Sequence, residues 1–152
     1  MKELTLEIKP KQGLGEISFG QPMDQLVEYL GEAEDVENLE DEEEFSTVIL
    51  NFYDKGVTAF VEGIEKQVIS CFETDNRGAT LFGKWVFDMT EEQIRQLMKD
   101  QGYSMLDEGM EEWGERRLTY EDGMIDFFFD NEKLTSVNWG VMVNDKGEIE
   151  EI

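Results

Sequence analysis

The stretch Tyr53-Asp54-Lys55-Gly56-Val57 organises this chain, because a similar stretch, Tyr120-Glu121-Asp122-Gly123-Met124, follows sixty-seven positions later. Each stretch contains an aromatic residue, two polar residues and a glycine, and an apolar residue follows. Glycine adopts the positive φ of tight turns at little cost, so each stretch predicts a hairpin between two strands. The repetition predicts that one structural unit occurs twice.

The similarity extends to both sides of these stretches at the same spacing. The matching residues, each followed by its counterpart, are Val27 and Ile94, Leu30 and Leu97, Leu39 and Leu106, Glu44 and Glu111, Phe60 and Phe127, Lys66 and Lys133, and Phe72 and Trp139. We therefore predict two tandem repeats, residues 1–75 and 79–152, packed as one compact body. The alternative is that two similar segments converged on common hairpin residues.

Each half predicts a short helix and about three antiparallel strands. Apolar residues at helical spacing follow Pro22 and Thr90, which are suited to the first turn and the N-cap of a helix. The expected fold class is α+β, with two tandem βαβββ-type repeats, antiparallel sheets and pseudo-symmetry. Residues 32–44 are predicted to form a loop or a frayed helix, because their like charges repel one another. Trp85 and Trp139 fall in strand patterns and are predicted to lie in the core or on a sheet face.

The composition excludes several classes of partner. The 152 residues include 37 acidic and 13 basic side chains, which gives a net charge of −24. This negative field repels phosphates and anionic lipids, so we expect no binding to nucleic acid or to membranes. It attracts basic proteins instead. The chain has no apolar N-terminal segment of the secretory type, so the expected location is the cytoplasm.

No residue pattern predicts catalysis. The chain lacks histidine, and its single cysteine, Cys71, lies in an apolar strand-like run, which favours a core thiol over a nucleophile. Carboxylates are so abundant that an acid/base pair can be drawn almost anywhere, so we predict no catalytic residue. No calcium-loop or phosphate-loop pattern occurs, so we predict no metal and no cofactor. An acid-site enzyme is the remaining catalytic alternative.

The chain resembles two families in the order of its elements. A helix that ends in Leu-Gly is followed by an acidic stretch and then by an aromatic-polar-polar-glycine turn. The two families are the tandem β-lactamase inhibitor proteins and the small outer-membrane assembly lipoproteins, whose repeats share a helix-plus-meander plan. The residues that carry the resemblance are Gly20, Met23, Asp24, Leu26, Val27, Leu30, Gly31, Tyr53 and Gly56. The resemblance implies a binding protein whose two units present a continuous concave sheet to a partner. The chain departs from these families by lacking the cysteines that cross-link each inhibitor repeat and a lipidation cysteine. By charge and size it is also similar to small acidic intracellular proteins that neutralise basic toxin domains.

The two acidic segments are the predicted partner-binding site. They comprise Glu40, Asp41, Glu42, Glu43 and Glu44 in the first half, and Asp107, Glu108, Glu111 and Glu112 in the second, with Trp113 beside them. If the units are pseudo-symmetric, both segments are expected to frame one surface that attracts a basic protein. Trp113 is interpreted either as an interface hot spot or as a partly buried loop anchor. The alternatives are that the charge serves only solubility, or that the chain is a structural domain that forms homo-oligomers through its sheet edges.

Overall fold

The structure, a computed structural model, describes residues 6–40, 46–63, 67–144, 146 and 148–150. The strands and helices in chain order are β1 (Glu7–Lys9), β2 (Gly13–Leu14), β3 (Ile17–Ser18), α1 (Asp24–Leu30), β4 (Asp35–Glu40), β5 (Ser46–Phe52), β6 (Val57–Gly63), β7 (Val68–Thr74), β8 (Thr80–Leu81), β9 (Lys84–Trp85), α2 (Glu91–Asp100), β10 (Leu106–Met110), β11 (Arg116–Tyr120), β12 (Ile125–Asp130), β13 (Lys133–Gly140), β14 (Met142–Val143) and β15 (Ile149–Glu150). The chain is an α+β protein.

An antiparallel sheet of eight strands holds most of the strand residues. Its spatial order is β10-β11-β12-β13-β7-β6-β5-β4, so two four-stranded meanders meet where β13 pairs with β7. Strands β4 and β10 form its two edges. In the junction Phe72 lies opposite Trp139 and Glu73 lies opposite Asn138, which makes the sheet continuous across the predicted boundary near residue 75.

One face of this sheet, the inner face, packs against a second layer. That layer contains α1, α2 and a five-stranded sheet of order β3-β2-β1-β8-β9, in which β1 and β8 are parallel. Residues on β6 alternate between buried and half-buried, with Val57, Ala59 and Val61 on the inner face. Apolar residues of both halves and both layers belong to one core cluster. Burial of this shared inner face is therefore the main stabilising contribution.

The helix that follows Thr90 forms as the sequence predicts. The Thr90 hydroxyl accepts a hydrogen bond from the Gln93 amide, and the Gln93 side chain accepts one from the Thr90 amide. This capping box satisfies two N–H groups that a helix start leaves open. Ile94, Leu97 and Met98 then face the core.

Both predicted hairpins form, but their residues do not correspond at a constant spacing. The first closes between Phe52 and Val57, whereas the second closes between Tyr120 and Ile125, one position further along than the sequence match predicts. Gly56 has the left-handed φ of 65° in the first turn, but Met124, not Gly123, has a positive φ (50°) in the second. The matched tyrosines consequently differ in environment: the first is 66% exposed and the second 3%.

The prediction that residues 32–44 form a loop or a frayed helix is wrong for residues 35–40, whereas residues 32–34 lie outside any helix or strand as predicted. Asp35–Glu40 is strand β4, paired with β5, and part of the second acidic stretch is strand β10, paired with β11. Each meander therefore has four strands rather than three. An edge strand has a neighbour on one side only, so its carboxylates remain near water and their repulsion does not prevent pairing.

The prediction for Trp139 is confirmed, whereas Trp85 lies in a strand, as its pattern predicts, but outside the core. Trp139 is fully buried, and its indole N–H donates a 2.8 Å hydrogen bond to the carbonyl of Gly13 in the covering layer. Trp85 is 61% exposed at the end of a two-residue strand. The apolar residues that follow it, Val86 and Phe87, enter the core from a short 3-10 helix.

Replacement of Trp139 by phenylalanine tests the link between the junction and the covering layer. Trp139→Phe leaves the Gly13 carbonyl without its donor and leaves a cavity, so we expect a loss of about 2 kcal/mol in the free energy of unfolding. Trp85→Phe is the matched control and is expected to change it by less than about 0.5 kcal/mol. Urea unfolding followed by circular dichroism measures both. Equal losses in the two variants would contradict this account of the junction.

Candidate functional site

The second face of the eight-stranded sheet, the outer face, is not covered by any helix or sheet of the described residues. Its central side chains are half-buried by one another. They are Thr58, Phe60 and Glu62 of β6, Cys71 and Glu73 of β7, Asp126 and Phe128 of β12, and Ser136 and Asn138 of β13. This face combines carboxylates with two phenylalanines, so it can contact both the cationic and the apolar parts of a partner.

The first depression on the outer face has a volume of about 400 Å³ and includes Glu73, Asp75 and Glu115 in its lining. Burial raises the pKa of Glu73, and the negative charges of Asp75 and Glu115 raise it further. Glu115 is held in place because it accepts hydrogen bonds from the Trp113 indole N–H and the Thr135 hydroxyl. The depression thus concentrates negative charge in a partly desolvated place, where a cation is stabilised.

The second depression has a volume of about 410 Å³ and includes Glu62, Cys71, Asp126 and Asn138 in its lining. The Cys71 thiol donates to Oδ1 of Asn138 at 3.1 Å. Burial raises the pKa of Cys71, and the charges of nearby carboxylates, including Glu62 and Asp126, raise it further. The cysteine therefore stays a thiol and is a poor nucleophile. It lies on the outer face, so its prediction as a core residue is wrong.

No lysine or arginine is among the described residues that line the two depressions, so none of those residues pairs with their carboxylates. The guanidinium of Arg117, on the outer side of β11, is already engaged by Asp107 at 3.3 Å and Glu111 at 3.4 Å. Hydroxyl groups satisfy the other carboxylates in part, since Ser70 donates to Glu62 and Thr119 donates to Asp126.

The described residues of the two predicted acidic segments lie at opposite edges of the eight-stranded sheet. Glu40 ends β4, whereas Asp107 and Glu108 lie on β10, and six strands separate these two edges. All neighbouring strands of this sheet are antiparallel, so β4 and β10 also run in opposite directions. The C-terminal ends of β4 and β10 therefore lie at diagonally opposite corners of the sheet. Asp41, Glu42, Glu43 and Glu44 lie outside the described residues.

Arginines of the chain itself neutralise most of the second acidic segment. Glu108 accepts hydrogen bonds from Arg95 of α2 and Arg116 of β11, and Glu91 pairs with the same two arginines at 3.1 Å and 2.9 Å. The hydrogen bond from Arg95, together with the two positive charges, lowers the pKa of Glu108. With Asp107 and Glu111 bound to Arg117, these predicted contact residues instead tie β10 to β11 and α2.

Two residues of the second predicted segment remain available to a partner. Glu112 is exposed, and Trp113 is 65% exposed at the turn between β10 and β11. The Trp113 ring lies 6.3 Å from that of Phe128 on the outer face. The exposure favours the hot-spot interpretation of Trp113, and the bond to Glu115 fixes the ring beside the first depression.

Sequence reasoning missed the outer-face carboxylates Glu62, Glu73, Glu115 and Asp126. A signal for three of them existed, because each occupies the polar position of a strand that alternates with buried apolar residues. Their convergence depends on the pairing of β7 with β13, which the local pattern does not contain.

Comparison of the chain with protein-family models, curated proteins and solved structures finds no match. The resemblance to the tandem inhibitor proteins therefore stays a prediction. In the part of the chain that the structure describes, no three Cys, Asp or Glu side chains are grouped to hold a metal ion. None of the described helices is both long and apolar enough to cross a membrane.

The pH dependence of stability tests the environment of Glu73. Because its pKa is raised in the folded protein, folded Glu73 binds its proton more tightly than unfolded Glu73. The resulting stability is present below the ordinary value of 4.5 and is lost as pH rises through the folded pKa. Glu73→Gln stays neutral, so we expect it to be more stable than the wild type at pH 7 and equal to it near pH 4.

Urea unfolding at a series of pH values measures this difference. Glu112→Gln, at an exposed position, is the control for the general removal of one negative charge. If Glu73→Gln gains no more stability than Glu112→Gln at pH 7, the raised pKa of Glu73 is contradicted.

Proposed function

We propose that this protein is a non-enzymatic binding protein that engages a basic protein partner through the outer face of its eight-stranded sheet. The observation that carries this proposal is the pair of carboxylate-lined depressions on a face that the described residues leave uncovered, with no lysine or arginine in their linings. Lysine or arginine side chains of a partner would supply the missing positive charge. The resemblance to the tandem inhibitor proteins implies a concave sheet that contacts a partner, and it supports the same mode of binding.

We further propose that the chain is a duplicated, pseudo-symmetric unit and that the two depressions are equivalent sites in its two copies. The hairpins of β5–β6 and β11–β12 each enclose four residues, and the register shifts after Phe60 and after Phe128 occupy the same position relative to those hairpins. Tyr53, Gly56, Thr58, Glu73, Asp75 and Ser136 of the first depression correspond to Glu121, Met124, Asp126, Asn138, Gly140 and Cys71 of the second. The axis that relates them would pass between Glu73 and Asn138.

Two depressions on one face favour a partner with at least two cationic side chains. The aromatic rings beside the first depression, Trp113 and Phe128, add apolar contact area and can face a guanidinium. The field of a chain with a net charge of −24 accelerates the encounter with a basic protein, and salt screens that attraction.

Self-association through the sheet edges is less compatible with the structure. Edge strand β4 carries Asp35 and Glu37 on the same side, so two copies of this edge would bring like charges together. At the other edge, Asp107 and Glu108 are already engaged with arginines.

A triple variant tests the proposed function. Glu62→Gln, Glu73→Gln and Asp126→Asn together remove three negative charges from the linings of the two depressions and keep the side-chain shapes. The control, Glu16→Gln, Glu92→Gln and Asp100→Asn, removes three charges from exposed positions of the covering layer. Each purified protein is immobilised and exposed to lysate of the source cell at low and at high salt.

We expect the wild type and the control to retain the same basic protein at low salt and to release it at high salt. The outer-face variant is expected to bind this protein at least about tenfold more weakly in titrations with the purified partner. Equal binding by the two variants, or binding that salt does not weaken, would contradict the proposal. Either result would favour the alternative that the negative charge serves only solubility.

A further inference from the structure

The two edges of the eight-stranded sheet differ in how their charge is satisfied. On β10, Asp107 and Glu108 engage arginines of β11 and α2. On β4, Asp35 accepts a 3.2 Å hydrogen bond from the Asn51 side chain, and no lysine or arginine of the described residues forms an ion pair with Asp35 or Glu37. Of the two edges, β4 is therefore the one whose carboxylates Asp35 and Glu37 are not paired with a lysine or arginine of the described residues.

The β4 edge also has an unused hydrogen-bonding side. Among the described strands, β4 pairs with β5 alone, so its other side presents backbone N–H and C=O groups to solvent. An extended peptide can pair with such an edge through main-chain hydrogen bonds. The edge groups give affinity, and the side chains of β4 decide which peptide fits.

The side chains of β4 alternate between two chemistries. Asp35 and Glu37 lie opposite Asn51 and Ile49, on the outer side of the sheet. Val36 lies opposite the buried Leu50, on the inner side, and is 50% exposed. In a strand added beside β4, alternate residues would lie next to the carboxylates of Asp35 and Glu37 on the outer side. A residue between these two positions would lie next to the exposed Val36 on the inner side.

We propose that the basic partner contributes an extended segment that adds to β4 as a ninth strand of the sheet. The segment alternates lysine or arginine, facing Asp35 and Glu37, with apolar residues, one of which covers Val36. This inference rests on the proposed function and adds to it the mode of contact and the sequence pattern of the partner. A second copy of β4 is excluded as the occupant because its acidic residues would repel those already there.

Three eight-residue peptides test the proposal on the wild-type protein. The first alternates lysine and valine, the second has the same composition with the four lysines grouped, and the third is the alternating peptide with every second backbone nitrogen methylated. Methylation removes the donors that strand pairing needs and keeps the charge. Affinity is measured by calorimetry at low salt, and amide hydrogen exchange identifies the protected residues.

We expect the alternating peptide to bind at least tenfold more tightly than either of the other two. It should slow exchange in residues 35–40 and leave exchange in residues 106–110 unchanged. Asp35→Lys with Glu37→Lys should weaken its binding at least tenfold, whereas Glu16→Lys with Glu92→Lys, which changes the net charge equally, should have a much smaller effect. Unchanged unfolding midpoints of the two variants confirm that the exposed substitutions leave the fold intact.

The outcomes separate the two levels of the proposal. Equal affinity of the methylated and unmethylated peptides, or protection confined to the outer-face strands, overturns strand addition and leaves the outer-face function standing. If none of the basic peptides binds, and the triple variant retains its partner, both the inference and the proposed function fail.

Discussion

The pairing of β7 with β13 is the interaction on which the rest of the structure depends. A four-stranded meander alone has an apolar face that one short helix cannot cover, and the covering helix α1 has only seven residues. Side by side, the two meanders form one inner face broad enough for both helices and the five-stranded sheet. The same pairing places Glu73 beside Asn138 and brings the carboxylates of both meanders to the centre of the outer face.

The carboxylates of this protein lie in two kinds of environment, one paired with arginines and one among other carboxylates. Around β10 the carboxylates are matched by Arg95, Arg116 and Arg117, so they stabilise local structure. On the outer face, by contrast, Glu73 lies among other carboxylates and is partly desolvated, which disfavours its charged form. Sites that bind a partner often retain such locally unfavourable arrangements, because the partner relieves them. This contrast, more than the total charge, distinguishes a candidate binding surface from a merely soluble one.

Local patterns in the sequence predicted much of the fold. The alternation in β6, the capping box at Thr90 and the turn residues before Val57 are short-range signals, and each element formed. The edge strands β4 and β10 were missed, because an edge strand tolerates polar residues on both faces and lacks the apolar alternation of a central strand. The exposure of Trp85 was not predicted, because a two-residue strand is too short for its pattern to show which face is buried. The outer-face depressions combine β6 with β13 and β7 with β12, and no local pattern specifies which strands become neighbours.

The hydrogen bond from Trp139 to Gly13 has a consequence for the order of folding. Its two residues are 126 positions apart, whereas each meander closes its hairpins over a few residues. Closing a long loop costs more entropy than closing a short one, so the meanders can form before the junction does. During synthesis, β1 to β3 emerge before β13, and the contacts of this part of the chain with β7, such as the ring contact of Phe19 with Phe72, can form before Trp139 bonds to Gly13. The layer that covers the sheet is thus completed in two steps, the second of which requires β13.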